Sequence, residues 1–191
     1  MQTDARRMAA AAGAVSAVGT PTLIVLATLL APWFSWAGNA LSDLGVAPET
    51  ALLFNGALIG GGLVSLPFAW LLFHRQGGLG GAARSVLFAL TGLTLAGIGA
   101  FPSDTALHFP VAVSFFLLLT ATLTVDGLLR RSEQSGRLAL LAASTHVVGW
   151  IAWGQGLRPG PGLALPEFVG ALALSTWIVA LAPAAPLDEF G

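Results

Sequence analysis

The stretch NALSDLGVAPE places Asn39, Ser42, Asp43 and Glu49 together between two long apolar runs. Farther along, Asp104 and His108 follow the break FPS, Glu167 follows Pro166, and His146 stands inside an apolar run. Carboxylates gathered in a partly desolvated setting are how acid and base roles become separated at neutral pH. Asp43 or Glu167 is therefore a candidate general base, with His108 as its acid partner or as a metal ligand. Asn39, Ser42, Glu49, Asp104 and His146 are candidate contacts to a substrate. Ser42 lacks the Gly-x-Ser-x-Gly setting of a nucleophile elbow, so it reads as a contact and not as a nucleophile. Asp104 and His108, four residues apart at the start of a helix, could present a carboxylate and an imidazole on one face. With Asp43 or Glu167 they would make a site for zinc or a harder divalent ion, but spacing alone specifies no metal and no cofactor. Haem is not expected, because His108 and His146 fall at different depths.

Each of these residues also has a plain structural account. Ser42 and Asp43 could cap a short interfacial helix that ends at Gly45. Glu49 and Glu167 each follow a proline and open a helix, where a carboxylate complements the helix dipole by roughly 0.3–1 kcal/mol. His108 could bond a backbone carbonyl. His146, about 13 Å along its helix from Arg137 at 1.5 Å per residue, could be a neutral imidazole bonded to a neighbouring hydroxyl, with Ser144 and Thr145 also facing inward. Otherwise an ionisable group at that depth is a functional candidate.

The elements that position these groups follow from composition. Hydrophobic residues make up 55% of the 191 and charged residues 9%, with a mean hydropathy of +0.82, whereas soluble domains carry about 25% charged residues. An all-α integral membrane bundle in a single domain is the expectation. A crossing takes roughly 20 residues, and six apolar runs are found at about 8–31, 51–73, 85–101, 105–125, 138–153 and 167–181. They do not alternate as barrel strands do, so all six should be helices. The first run is too long for the core of a secretory signal and is read as a membrane helix, and its paired arginines lack the pattern of twin-arginine export. A net charge of −1 gives no surface for nucleic acid, and the absence of cysteine excludes disulfides and thiolate chemistry. The expected partners are the lipid bilayer and lipid head groups.

With six spans, Arg6, Arg7, Arg75, Arg84, Arg130, Arg131 and Arg137 share one side and only Arg158 lies on the other, so both termini should be cytoplasmic. Asp4, Asp126, Glu133, Asp188 and Glu189 then read as solvated groups of the cytoplasmic side. Trp150 and Trp153 read as an interfacial aromatic belt.

The runs FSWAGNALSDLGVAPETALLFNGALIGGGL, GIGAFPSDTALHFPVAVSFFLLL and LPEFVGALALSTWIVAL resemble the prokaryotic membrane family catalogued as domain of unknown function 998. SDLGVAPE is also similar to the ISDxGxxxPE signature of the Frag/DRAM group of six-helix membrane proteins, with NAL in place of its usual preceding residues. The resemblance implies six helices and marks Ser42, Asp43, Gly45, Pro48, Glu49, His108 and Glu167. Several relatives in the broader group act on or respond to lipids, which by analogy makes a lipid-directed role the first functional expectation. A hydrolase or transferase acting on lipid head groups at the outer rim is one form of it. A small transporter using His146 and the outer acids, and a non-catalytic scaffold or sensor, are the others.

Overall fold

The computed structural model describes residues 2–186, beyond which lie the C-terminal acids Asp188 and Glu189. Among the described residues there is no β-strand. Six long helices follow one another: α1 (Gln2–Leu30), α2 (Ala51–Arg75), α3 (Gly78–Ala100), α4 (His108–Leu129), α5 (Gln134–Gly154) and α6 (Ala164–Thr176), which runs on as a π-helical turn, Trp177–Leu181. A short 3-10 turn, Leu41–Gly45, lies in the loop between α1 and α2.

Five of the six are long and apolar enough to cross a membrane: α1, α2, α3, α4, and α6 together with its π turn. At 1.5 Å per residue the 25 residues of α2 reach about 38 Å, past the roughly 30 Å hydrocarbon layer. The fifth helix has 21 residues but is diluted by Ser144, Thr145 and His146 at its middle. Each helix packs on the next, and α6 returns to α1, so the bundle closes on itself. Every arginine but Arg158 gathers at one end, which we call the arginine end; the loops 31–50, 101–107 and 155–163 form the opposite, acidic end.

Backbone groups are satisfied inside the helices, so packing is set by shape and by a few polar ties. Gly62 of α2 meets Gly92 of α3 so closely that a Cβ on Gly62 would come within 2.3 Å of the Gly92 carbonyl oxygen. At the centre Phe68, Phe88 and Trp177 meet edge to face and tilted, with centroids 5.5 to 6.5 Å apart. Aromatic pairs in that range add about 0.5–1.5 kcal/mol beyond their buried area.

The arginine end departs from the sequence expectation in two respects. Asp126 is not a solvated group: it is fully buried in the last turns of α4. Arg84 is no loop residue either, since α3 begins at Gly78 and carries it, fully buried, along its second turn. Arg84 Nη1 donates to Asp126 Oδ1 at 3.0 Å and to Gln76 Oε1 at 2.7 Å, and Nη2 donates to the Leu72 carbonyl. Arg130 grips the same carboxylate with Nε and Nη2, and Trp177 Nε1 donates to Asp126 Oδ2 at 2.7 Å. One buried carboxylate thus ties α3, α4 and α6. The physical reason is pairing: a charge inside a bundle is tolerated when hydrogen-bonded counter-charges surround it, and unpaired it costs several kcal/mol. Glu133, by contrast, is more than half exposed while accepting from Arg130 Nη1 at 3.3 Å.

Candidate functional site

The loop 31–50 is organised by its own polar side chains. The Ser35 N–H donates to Asn39 Oδ1, and Asn39 Nδ2 donates to Asp43 Oδ2 at 3.0 Å. The same Oδ2 accepts the Ala40 N–H at 3.0 Å, so Asp43 caps the start of the 3-10 turn from within it. The next amide, that of Leu41, donates to Glu167 Oε2 at 2.7 Å. Successive backbone N–H groups are therefore held by two different carboxylates, one local and one from α6. Gly45 does not end the turn in a left-handed conformation; it lies inside the turn because a Cβ there would sit 2.6 Å from Asn55 Oδ1. Asn55 Nδ2 donates to the Gly45 carbonyl, and Thr50 Oγ1 to that of Leu44, which pins the turn to α2.

Other loops of the acidic end join this one. Gly162 and Ala164 donate backbone N–H groups to the carbonyls of Ala37 and Asn39, at 2.8 and 3.0 Å. Ser103 Oγ donates to the Ser42 carbonyl at 3.3 Å. Trp153 Nε1 donates to the Gly162 carbonyl, and the Arg158 guanidinium lies over the Trp153 ring at 4.5 Å, so this tryptophan braces the 155–163 loop.

Beneath the 3-10 turn lies a cavity of about 70 Å³ with walls from α1, α2, α3, α4 and α6. Leu41, Phe54, Leu58, Phe115, Leu174 and Ile178 are among its apolar lining. Ser42, His108 and Glu167 line it at the acidic end, each half-buried. His108 opens α4, and its Nδ1 donates to the Phe101 carbonyl at 2.8 Å, so the neutral ring keeps Nε2 as its remaining acceptor. Glu167 uses Oε2 on Leu41 and retains Oε1. A hydroxyl, an imidazole nitrogen and a carboxylate oxygen are thereby available at one end of an apolar slot.

The other residues singled out from sequence stand apart from this wall. Asp43 and Asn39 lie in the network that shapes the turn. Glu49 is exposed, two residues before α2 begins; the Trp33 Nε1–H donates to its Oε1 at 2.6 Å and holds the carboxyl below the usual carboxylate range. Asp104 is exposed in the turn before α4, not on the helix with His108. Among the described residues no three His, Asp or Glu side chains come together as metal ligands. His146 is buried between α4 and α5 with both nitrogens engaged. Trp150 Nε1 can only donate, so His146 Nε2 accepts at 2.9 Å and Nδ1 carries the proton toward Thr120 Oγ1, which itself donates to the Phe116 carbonyl. Ser144 and Thr145 do not face inward with it; both are exposed, because three consecutive residues cannot share one helix face.

A family model described as Protein of unknown function (DUF998) matches residues 9–184. The chain belongs to the DUF998 family. The matched range takes in every residue of the cavity wall and the whole Asp126 cluster, so both are features of the DUF998 portion of the chain. With its apolar helices, this DUF998 protein is an integral membrane protein. No curated protein and no solved structure matches it.

Sequence reasoning missed two features. Arg84 and Trp177 meet Asp126 across 42 and 51 residues, pairings that no local pattern carries. The local signs are that Asp126 falls four residues after Thr122, on the face that α4 turns inward, and four residues before Arg130, at the spacing of a helical ion pair. Thr20 is the second: it lies on the cavity wall, and its hydroxyl is buried without a partner.

Proposed function

We propose that this protein spans the cell membrane six times with both termini in the cytoplasm, and that it holds a lipid-like amphiphile in the cavity below the Leu41–Gly45 turn. The observation that carries this is the cavity itself: apolar walls contributed by five helices, with Ser42, His108 and Glu167 at one end. The apolar walls match a tail that comes from the hydrocarbon layer, where close packing and not removal from water favours it, and the polar rim fixes the head. The likeness of SDLGVAPE to the Frag/DRAM signature supports a lipid role by analogy alone. The head is uncharged or cationic and rich in donors, because the rim offers two acceptors and no arginine lines it. Orientation rests on Arg6, Arg7, Arg75, Arg131 and Arg137, which remain at the arginine end once the buried Arg84 and Arg130 are set aside.

His108 Nε2 and Glu167 Oε1 also supply what hydrolysis or transfer at the head group requires, a proton acceptor beside a hydroxyl-bearing substrate. Asp43 acts one step back, by holding the turn that delivers Ser42 and the Leu41 amide.

Mass spectrometry of lipids retained by the purified protein tests occupancy. Wild type should retain a defined amphiphile, and Ala171→Phe, which places a ring in the cavity, should lose it; equal retention by both would remove the cavity from consideration. Incubation with a total lipid extract then tests turnover, with a new product expected from wild type and none from His108→Ala.

A further inference from the structure

On the outside of the bundle, α5 and α6 leave a groove of about 220 Å³ between them, below the 155–163 loop that joins them. Gly149 and Ala152 of α5 line it with Leu165 and Val169 of α6, and His146, both of whose nitrogens are engaged within the chain, lies at its deeper end. Leu165 and Val169 are exposed, so the groove opens to the hydrocarbon layer. From His146 to Trp153 it follows α5 for about 10 Å. A glycine in a membrane helix usually lets another helix come close, but a Cβ on Gly149 would meet nothing within 4 Å. No helix among the described residues uses that space.

Arg158 stands at the upper end of the groove on a fixed backbone. The Gly156 N–H donates to the Trp153 carbonyl and the Leu157 N–H to the Ala152 carbonyl, at 3.1 and 2.9 Å, with Gly156 at φ 81°. This is the glycine cap in which a left-handed residue turns the chain back over the end of its helix. Pro159 follows and restricts the backbone further. The cap sets the Arg158 guanidinium over the Trp153 ring, which is itself tied to the Gly162 carbonyl. Among the described residues Arg158 makes no hydrogen bond and no ion pair, and no carboxylate lines the groove. Glu167 turns instead to Leu41 and the inner cavity, and Glu49 to Trp33.

The planar guanidinium fork matches the oxygens of a phosphate, and a tryptophan at a helix end marks the level of lipid head groups. An acyl chain entering the groove exchanges one apolar surrounding for another, so selection rests on the head. A phosphodiester that brings no cation of its own supplies the anion that Arg158 lacks.

We propose that this groove binds an anionic phospholipid of the adjoining leaflet, with its phosphate on Arg158 and the upper part of one acyl chain against Gly149, Ala152 and Val169. The groove lies outside the bundle, and its occupancy does not depend on what fills the inner cavity.

The test titrates the full chain in maltoside micelles with dioleoylphosphatidylglycerol or dioleoylphosphatidylcholine and reads, by native mass spectrometry, the fraction of protein carrying a lipid. Wild type should bind the anionic lipid roughly three- to tenfold more tightly, as one cation at the membrane surface implies. Arg158→Gln, at an exposed position, should erase that preference. Gly149→Leu, which fills the groove and suits a helix better than glycine, should weaken both lipids. Glycerophosphoglycerol, the head without its chains, should not compete. Equal affinity of wild type for the two lipids, a preference that survives Arg158→Gln, or binding that Gly149→Leu leaves intact overturns the proposal. Competition by the chainless head also overturns it, and makes Arg158 a site for a free phosphate. A dimer that Gly149→Leu dissociates overturns it by giving the groove to a second copy of the chain.

Discussion

The Leu41 N–H donates to Glu167 Oε2 at 2.7 Å, joining the loop after the first helix to the first turn of the last across 126 residues. Leu41 is 95% buried, so no water replaces that acceptor if it is removed. Glu167→Ala should cost about 1–3 kcal/mol, the penalty of an unpaired buried amide. Glu167→Gln keeps an acceptor and should cost less. Unfolding of the two variants in mixed micelles ranks them, and an alanine variant as stable as wild type would show that the tie contributes nothing.

Asp126 is the counter-charge of two buried guanidiniums. Asp126→Ala should destabilise the bundle by about 3–5 kcal/mol, because Arg84 is left inside without an anion. Removing Arg84 as well, in Asp126→Ala/Arg84→Met, should recover part of that loss. Denaturation of the single and double variants measures the coupling; additive losses would mean the charges do not interact.

Gly62 is under the backbone of α3. Gly62→Ala should destabilise by about 1–3 kcal/mol, the usual cost of forcing atoms into a filled contact. Gly56, whose Cβ would meet nothing, should accept alanine with no loss. Melting temperatures of the pair separate close packing from a general intolerance of α2 to substitution.

Glu49 titrates with a defined sign. The Trp33 indole bond lowers its carboxyl pKa in the folded chain, so the bond stabilises fully above the ordinary carboxylate value and is lost as pH falls through the lowered one. Tryptophan emission of wild type should change over that acidic window, and the change should vanish in Glu49→Gln. An identical transition in the variant would assign it to another carboxyl.

The helices were legible because an apolar run of twenty residues has no other use in a chain this poor in charge. The folding of NALSDLGVAPE toward Glu167 and the His108 end of α4 was also within reach, since cap-type residues between two spans must lie at a helix end. Boundaries were less so: GGLGG reads as a loop, yet α3 starts at Gly78 because its glycines pack against Leu129 and the Gln76 carbonyl. Asp126 was misread for a general reason. Charge near an apolar boundary is solvated by default, and only the positions of Arg84 and Trp177 in space, not along the chain, reveal that it is enclosed. Thr20 gave no sign at all, because a threonine among alanines and valines becomes conspicuous only when its missing bond can be seen.

The backbone bonds from Gly162 and Ala164 to Ala37 and Asn39 have a consequence for how the protein is made. During synthesis the loop after α1 is exposed early, while its partners emerge only after five helices have left the ribosome. Until α6 arrives, the turn over the cavity lacks Glu167, and Asp126 lacks Trp177. The rim of the cavity is therefore the last part to assemble, and a chain interrupted before Ala164 would have neither the complete rim nor the full set of ties at its opposite end.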